Sequence, residues 1–242
     1  MLTIDLDTIS LAPGKVVLDL GCGQGRHIHN VFHYAPVHVI GVDLSFEDAQ
    51  DTRNGLTYFP PPNPPQSSHK HIAHIAVADA TILPFTDGFF DTIICSEVLE
   101  HIEEYELALR EITRILKPGG TLALSVPRTW PEWVCWRLSK GYTATPGGHI
   151  RIFNAQDLKA QVEICGFECT RRHWAHALHV PYWWLKCLFW NRRDTFWLIR
   201  LYHKFLLWDL ARRPWITRSL ETLLNPIMGK SVVLYFKKGR VA

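Results

Sequence analysis

"KVVLDLGCGQGRHIHNVF", residues Lys15–Phe32, decides the fold. Its first six residues form an apolar run broken only by Asp19 after the leading lysine, as expected of a strand covered on both faces. Gly21, Gly23 and Gly25 then make a turn that allows positive φ and close approach of a ligand to the backbone. "RHIHNVF" starts a helix. Strand, glycine turn and helix at the head of an open α/β sheet form the usual floor of a ligand site. The spacing G-x-G-x-G departs from the dinucleotide pattern G-x-G-x-x-G. No lysine opens the helix, which argues against a P-loop.

Outward from this unit, strand and helix alternate. "VHVIGVDLS" is a second strand ending at Asp43, and "SFEDAQDTRNG" is a short helix with Ser45 as N-cap and Gly55 as its stop. "YFPPPNPPQSSHK" holds five prolines between Pro60 and Pro65 and reads as an exposed extended loop over 59–68. "IAHIAVADA" is a third strand reaching Asp79, "FFDTIICS" a fourth, and "EEYELALREITRIL" an amphipathic helix stopped by "KPGG". "TLALSVP", "GFECTRRH" and "SVVLYFKKG" are later strands, with a helix at "NAQDLKAQVEIC". "TWPEWVCWRLSKGYTATPGG" reads as a loop. The expected fold is α/β, a doubly wound, Rossmann-like, seven-stranded parallel sheet with a helical, Trp-rich insertion before the last strand. The expected domains are a core of 1–174 plus 230–242 and a helical aromatic cap of 175–229.

At 242 residues, 47% hydrophobic, 20% charged and net +3, the chain falls among folded globular proteins rather than disordered ones. Charge is unevenly spread: Arg171 to Arg218 carries ten Lys/Arg against Asp194 and Asp209, and all ten tryptophans lie at or after Trp130. "MLTIDLDTIS" has no basic start or long apolar run, so no signal peptide is expected. The absence of an apolar stretch of about 18 residues predicts no transmembrane span and a cytoplasmic protein. Six cysteines without CxxC spacing predict reduced thiols.

Three acids, Asp19, Asp43 and Asp79, at three strand ends around a glycine turn describe a pocket for a positively charged, adenosine-like ligand. "VLDLGCGQG", "GVDLS", "VADATILPFTDGFFDTIICSEVLEHI" and "EITRILKPGGTLALSVPR" resemble the successive motifs of class I S-adenosylmethionine (SAM)-dependent methyltransferases, of the type 11, ubiquinone/menaquinone methyltransferase-like kind. The resemblance implies SAM as cofactor. It implies that Asp19, Gly21 and Gly23 cradle the methionine moiety, Asp43 binds the ribose, Asp79 with Ala80 reads the adenine, and Ser96 lines the pocket wall. Cys22 and Leu44 join the same cofactor-binding set.

"SEVLEHIEEY", Ser96–Tyr105, follows the fourth strand and so sits at the cofactor mouth. On a helix Glu97, Glu100 and His101 would share one face. Two oxygens and an imidazole suit Mg²⁺ or another divalent metal, with His149 of "GGHIRIF" as fourth ligand. This arrangement resembles the metal sites of the small-RNA 2′-O-methyltransferases and the ubiquinone-pathway O-methyltransferases. His101 acting as base without metal, with Glu97 beside it, and a plain acidic helix start are the alternatives.

The aromatic segment 182–218 reads as helix with a wide apolar face and basic flanks. It suits the surface of an anionic membrane and a lipid-like or quinone acceptor, the flat faces of a saccharide, or a homodimer interface; a nucleic-acid groove ranks below these because the segment is too apolar. His173, His176 and His179 could add metal ligands, but they lack a nearby acid or cysteine partner in the sequence and read as core or interface histidines. The expected function is SAM-dependent O-methylation of a bulky lipid-like, quinone or saccharide acceptor, with possible divalent-metal assistance. The alternatives are C- or N-methylation with a lone base, a non-catalytic methyltransferase-like binding subunit, and an NAD-dependent oxidoreductase, which the glycine spacing disfavours.

Overall fold

The computed structural model describes residues 2–58 and 71–240; the proline stretch 59–68 lies outside them. In chain order the elements are β1 (Val16–Leu20), α1 (Arg26–Tyr34), β2 (His38–Asp43), α2 (Phe46–Tyr58), β3 (Ile72–Val77), β4 (Phe90–Ser96), α3 (Tyr105–Ile115) and β5 (Leu116–Pro127). There follow α4 (Thr129–Leu138), α5 (Lys140–Thr143), α6 (Ala155–Ile164), β6 (Phe167–Ala175), α7 (Val180–Leu188), α8 (Trp197–Arg212), α9 (Trp215–Met228) and β7 (Ser231–Lys238).

The seven strands form one sheet in the order β3-β2-β1-β4-β5-β7-β6. Successive residues of a strand point to opposite faces, and both faces are buried. Leu18, Leu20, Ile93, Leu122 and Leu124 meet Leu109 and Ile112 of α3 and Leu158 of α6 on one side. Val17, Val39, Ile94, Ala123 and Tyr235 meet Ile28 and Val31 of α1 on the other. Helices on both faces explain why these strands read as continuous apolar runs. Chain order reverses between β1 and β4, so the crevice expected for a ligand opens at their carboxyl ends.

The expectation of a parallel sheet holds only through β5, because β7 runs antiparallel to both β5 and β6. A strand that returns from a helical insertion on the same edge needs no crossover, which permits the antiparallel pairing. Two local readings are also corrected. "TWPEWVCWRL" is helical, with Pro131 tolerated in the first turn. Gly55 does not stop α2, which continues to Tyr58; a Cβ at Gly55 would lie 2.4 Å from the His29 ring, so this glycine lets two elements touch.

Candidate active site at the carboxyl edge of the sheet

The glycine turn is clamped to β2: Gly21 N and Cys22 N both donate to Val42 O, at 2.7 and 3.0 Å. Gly21 (φ +71°) is required twice, since a Cβ there would sit 2.3 Å from Val98 Cγ2. At Gly23 (φ +48°) a Cβ would meet nothing within 4 Å, so open space lies over the turn. Cys22 presents only backbone here, because its thiol is buried beneath Gly41.

The three strand-end acids have different surroundings. Asp19 is buried under the turn and accepts from Ile28 N at 2.9 Å, satisfying a free N–H of the first turn of α1. Burial pushes its carboxyl up to about 7, with Asp43 adding to the rise, against the Ile28 hydrogen bond. Asp43 is half-buried and bridges the mouth, accepting from Gly23 N at 2.7 Å and from Ser45 N at 2.9 Å. Asp79 is exposed and accepts from the N–H and hydroxyl of Thr81, which hold it below the usual carboxylate range. Ala80 is half-buried beside it, and Leu44 stands 72% exposed at the end of β2. Ser96 shares a hydroxyl contact of 2.8 Å with Ser125 across β4 and β5.

The stretch after β4 departs from the expected helix. Glu97 takes a left-handed conformation (φ +58°), Leu99–His101 is a single 3₁₀ turn, and α3 begins only at Tyr105. The three residues therefore do not share a helical face. Glu97 turns aside: its carboxylate accepts from Ser125 Oγ at 3.0 Å and lies 3.9 Å from Lys230 Nζ. Glu100, His101 and His149 are instead brought together, with a ligating atom of each within 4.8 Å of the others. Glu100 N-terminal to His101 is fully buried, and neither carboxylate oxygen has a hydrogen-bond partner. Its main chain holds the His149 loop, accepting from Ile150 N at 3.0 Å.

Both imidazoles have their Nδ1 committed. His101 Nδ1 donates to Gly148 O at 3.1 Å, a carbonyl that can only accept. His149 Nδ1 contacts Glu132 Oε1 at 2.7 Å, and the same oxygen accepts from Tyr142 and Trp136. Each ring thus leaves Nε2 with a lone pair for a ligand, and a carboxylate behind a histidine is the usual support of a metal ligand. Burial, aided by the His149 charge, lowers His101 and favours its neutral form. Burial alone would raise Glu132, but the His149 hydrogen bond and charge, with Lys230 and Tyr142, outweigh it. Glu132 escaped the sequence reading because "PEWVCW" looked like loop; its one signal is an acid four residues before Trp136, whose indole it accepts.

Beside Glu97 lies a cavity of about 390 Å³ walled by Tyr182, Trp183, Leu206, Leu210 and Lys230. The helical segment before β7 thus closes over the carboxyl edge of the sheet.

The family model described as "Methyltransferase domain" matches residues 5–172, ending just before this helical segment. An O-methyltransferase of Aspergillus nomiae, rstn1, is 30% identical over 119 residues, covering 49% of this chain and 49% of its own. A 2-methyl-6-phytyl-1,4-hydroquinone methyltransferase of Synechocystis is 32% identical over 120 residues, covering 50% of this chain and 34% of its own. The chain spans between 22% and 49% of the length of the curated relatives it matches. Among solved structures, a SAM-dependent methyltransferase of Methanosarcina mazei superposes with a TM-score of 0.64 at 16% identity, covering 99% of this chain and all of that one. A family match across more than half of the residues, on a sheet of this order, means that the chain belongs to the methyltransferase-domain family, the class I SAM-dependent methyltransferases.

Proposed function

We propose that the chain transfers the methyl group of SAM to an oxygen of a bulky acceptor, lipid-like or quinone before saccharide, with a divalent ion held by Glu100, His101 and His149. One observation carries this reading: a fully buried carboxylate with both oxygens unpaired, facing two imidazoles whose outer nitrogens are already anchored.

The residues fit SAM through the open space over Gly23, where even a Cβ meets nothing. SAM supplies a methyl already activated on sulfur, which leaves alignment and proton removal to the protein. In this reading Asp43 accepts from the ribose, Asp79 and Ala80 meet the adenine, Leu44 gives it an apolar face, and Asp19, Gly21 and Gly23 cradle the methionine end. Cys22 contributes backbone and Ser96 the wall. A divalent ion would lower the pKa of an acceptor hydroxyl. Glu97, outside the ligand set, faces the cavity and is placed to take the proton. Gly23→Ala is expected to weaken SAM binding in calorimetry and to lower Tm modestly, through the strain of a side chain at φ +48° and not through a clash. Gly21→Ala is expected to lower Tm markedly, by overpacking that typically costs about 1–3 kcal/mol.

A second reading has its own support. His101 is partly desolvated but more open to solvent than the fully buried Glu100, so its free Nε2 can serve as a lone base for C- or N-methylation without metal.

The segment 175–229 is proposed as the acceptor cap. Trp197, Leu201, Trp208, Trp215 and Ile216 are exposed on α8 and α9, and Arg212, Arg213 and Arg218 are exposed on the same segment, a composition suited to peripheral contact with an anionic membrane. No helix among the described residues is long and apolar enough to cross one. The test is transfer of labelled methyl from SAM to a saccharide fraction and to lipid extract in neutral or anionic vesicles. Label is expected in the lipid extract, several-fold more with anionic vesicles. Label confined to saccharide would overturn the lipid assignment, and equal labelling in both vesicles would overturn the membrane contact.

A further inference from the structure

The chain leaves β6 through His176, which takes a left-handed conformation (φ +67°), and continues into a single 3₁₀ turn, Ala177–His179. Residues three apart on such a turn eclipse one another, so His176 and His179 come together, with ring centroids 5.3 Å apart. α9 packs directly on this turn: Asn225 Oδ1 accepts from Ala177 N at 3.0 Å. One helical turn earlier on α9, Glu221 is delivered to the two imidazoles, and a ligating atom of each residue lies within 4.8 Å of the others.

His176 Nδ1, His179 Nδ1 and Glu221 Oε1 are all buried and have no hydrogen-bond partner. Buried polar groups left unpaired are costly, and one cation among these three would satisfy them together. From this geometry we infer that His176, His179 and Glu221 form a second metal centre, separate from Glu100, His101 and His149, for a transition ion of the Zn²⁺ kind.

Two nitrogens and one carboxylate oxygen select a borderline ion such as Zn²⁺ over Mg²⁺ or Ca²⁺, which prefer oxygen throughout. The supporting contact is present, since His176 Nε2 meets Thr3 Oγ1 at 3.0 Å and leaves Nδ1 for the ion. The ion ties the end of β6 to α9 and, through Thr3, to the start of the chain. His176 and His179 also line the 390 Å³ cavity, so the centre borders the space proposed for the acceptor.

The competing arrangement is a metal-free network in which a protonated Glu221 hydrogen-bonds the histidines. The two are separated by stripping the full chain with a chelator and titrating it with Zn²⁺ alone. A Glu100→Gln background removes the first cluster from the count. One equivalent of Zn²⁺ is expected, with a raised Tm, and Co²⁺ in its place should give visible d–d bands. Adding Glu221→Gln, which keeps the shape and a hydrogen bond, is expected to weaken Zn²⁺ by at least about a hundredfold and abolish the Tm shift. His179→Asn should do the same and serves if the first variant folds poorly. Zn²⁺ binding unchanged in both variants, or no Zn²⁺ bound by the Glu100→Gln protein, would overturn the centre. So would a site that takes Mg²⁺ and that Zn²⁺ cannot compete for.

Discussion

Asp43→Ala should raise the Kd for SAM by at least a hundredfold in isothermal titration calorimetry. One carboxylate holds both sides of the mouth: Oδ2 accepts from Gly23 N in the glycine turn and Oδ1 from Ser45 N ahead of α2. Each oxygen retains lone pairs for a ribose hydroxyl. Hydrogen bonds to a charged group are worth about 1.5–3 kcal/mol each, and losing two to the ligand predicts a loss of roughly two to four orders of magnitude. The fold should suffer less. Asp43 is only half-buried, so water can reach Gly23 N and Ser45 N once the side chain is gone. Asp43→Asn, which keeps one acceptor, should fall between wild type and Ala. A Kd for Asp43→Ala within threefold of wild type would remove Asp43 from the ribose role.

The second large effect is Glu100→Gln, expected to lower kcat for methyl transfer by about two to three orders of magnitude, within the range of a lost proton-transfer function. The residual rate should match that of chelator-treated wild type, because both changes empty the site at Glu100. Wild type should recover with added divalent ion and the variant should not. Without metal, burial holds the Glu100 carboxyl well above its ordinary range, with Glu97 adding to the rise, and the amide of the variant is isosteric with it and brings no charge to the site. The metal-free Tm should change little. With added Mg²⁺, which the all-oxygen preference keeps from the His176, His179 and Glu221 cluster, only wild type gains stability from binding to the native state. The lone-base reading through His101 predicts the opposite pattern, activity that survives both Glu100→Gln and chelation.

The alternation of strands and helices and the glycine turn were legible because their information is local. In Lys15–Phe32 the apolar run, the glycines and the following helix are adjacent in sequence, and Gly21, Asp43 and Asp79 fall where strands must end. Geometry along one strand-turn-helix unit follows from steric and hydrophobic rules that act over a few residues. The sense of β7 was not legible, since "SVVLYFKKG" pairs equally well in either direction until the insertion before it decides from which side the chain returns.

The side-chain clusters belong to the other class. "EVLEH" suggested Glu97 as a ligand by helical spacing, and the left-handed turn at Glu97 removes it toward Lys230. Glu132 sits 17 residues from His149 and became its partner only when α4 packed beside the His149 loop. Glu221 reaches His176 only because α9 folds back on the turn after β6. By itself the sequence determined the family and the alternation of strand and helix up to β5, through short-range patterns. Which carboxylate meets which imidazole was decided only in the tertiary structure, because hydrogen bonding and metal ligation are set by distances of a few ångströms between residues that no spacing along the chain brings together.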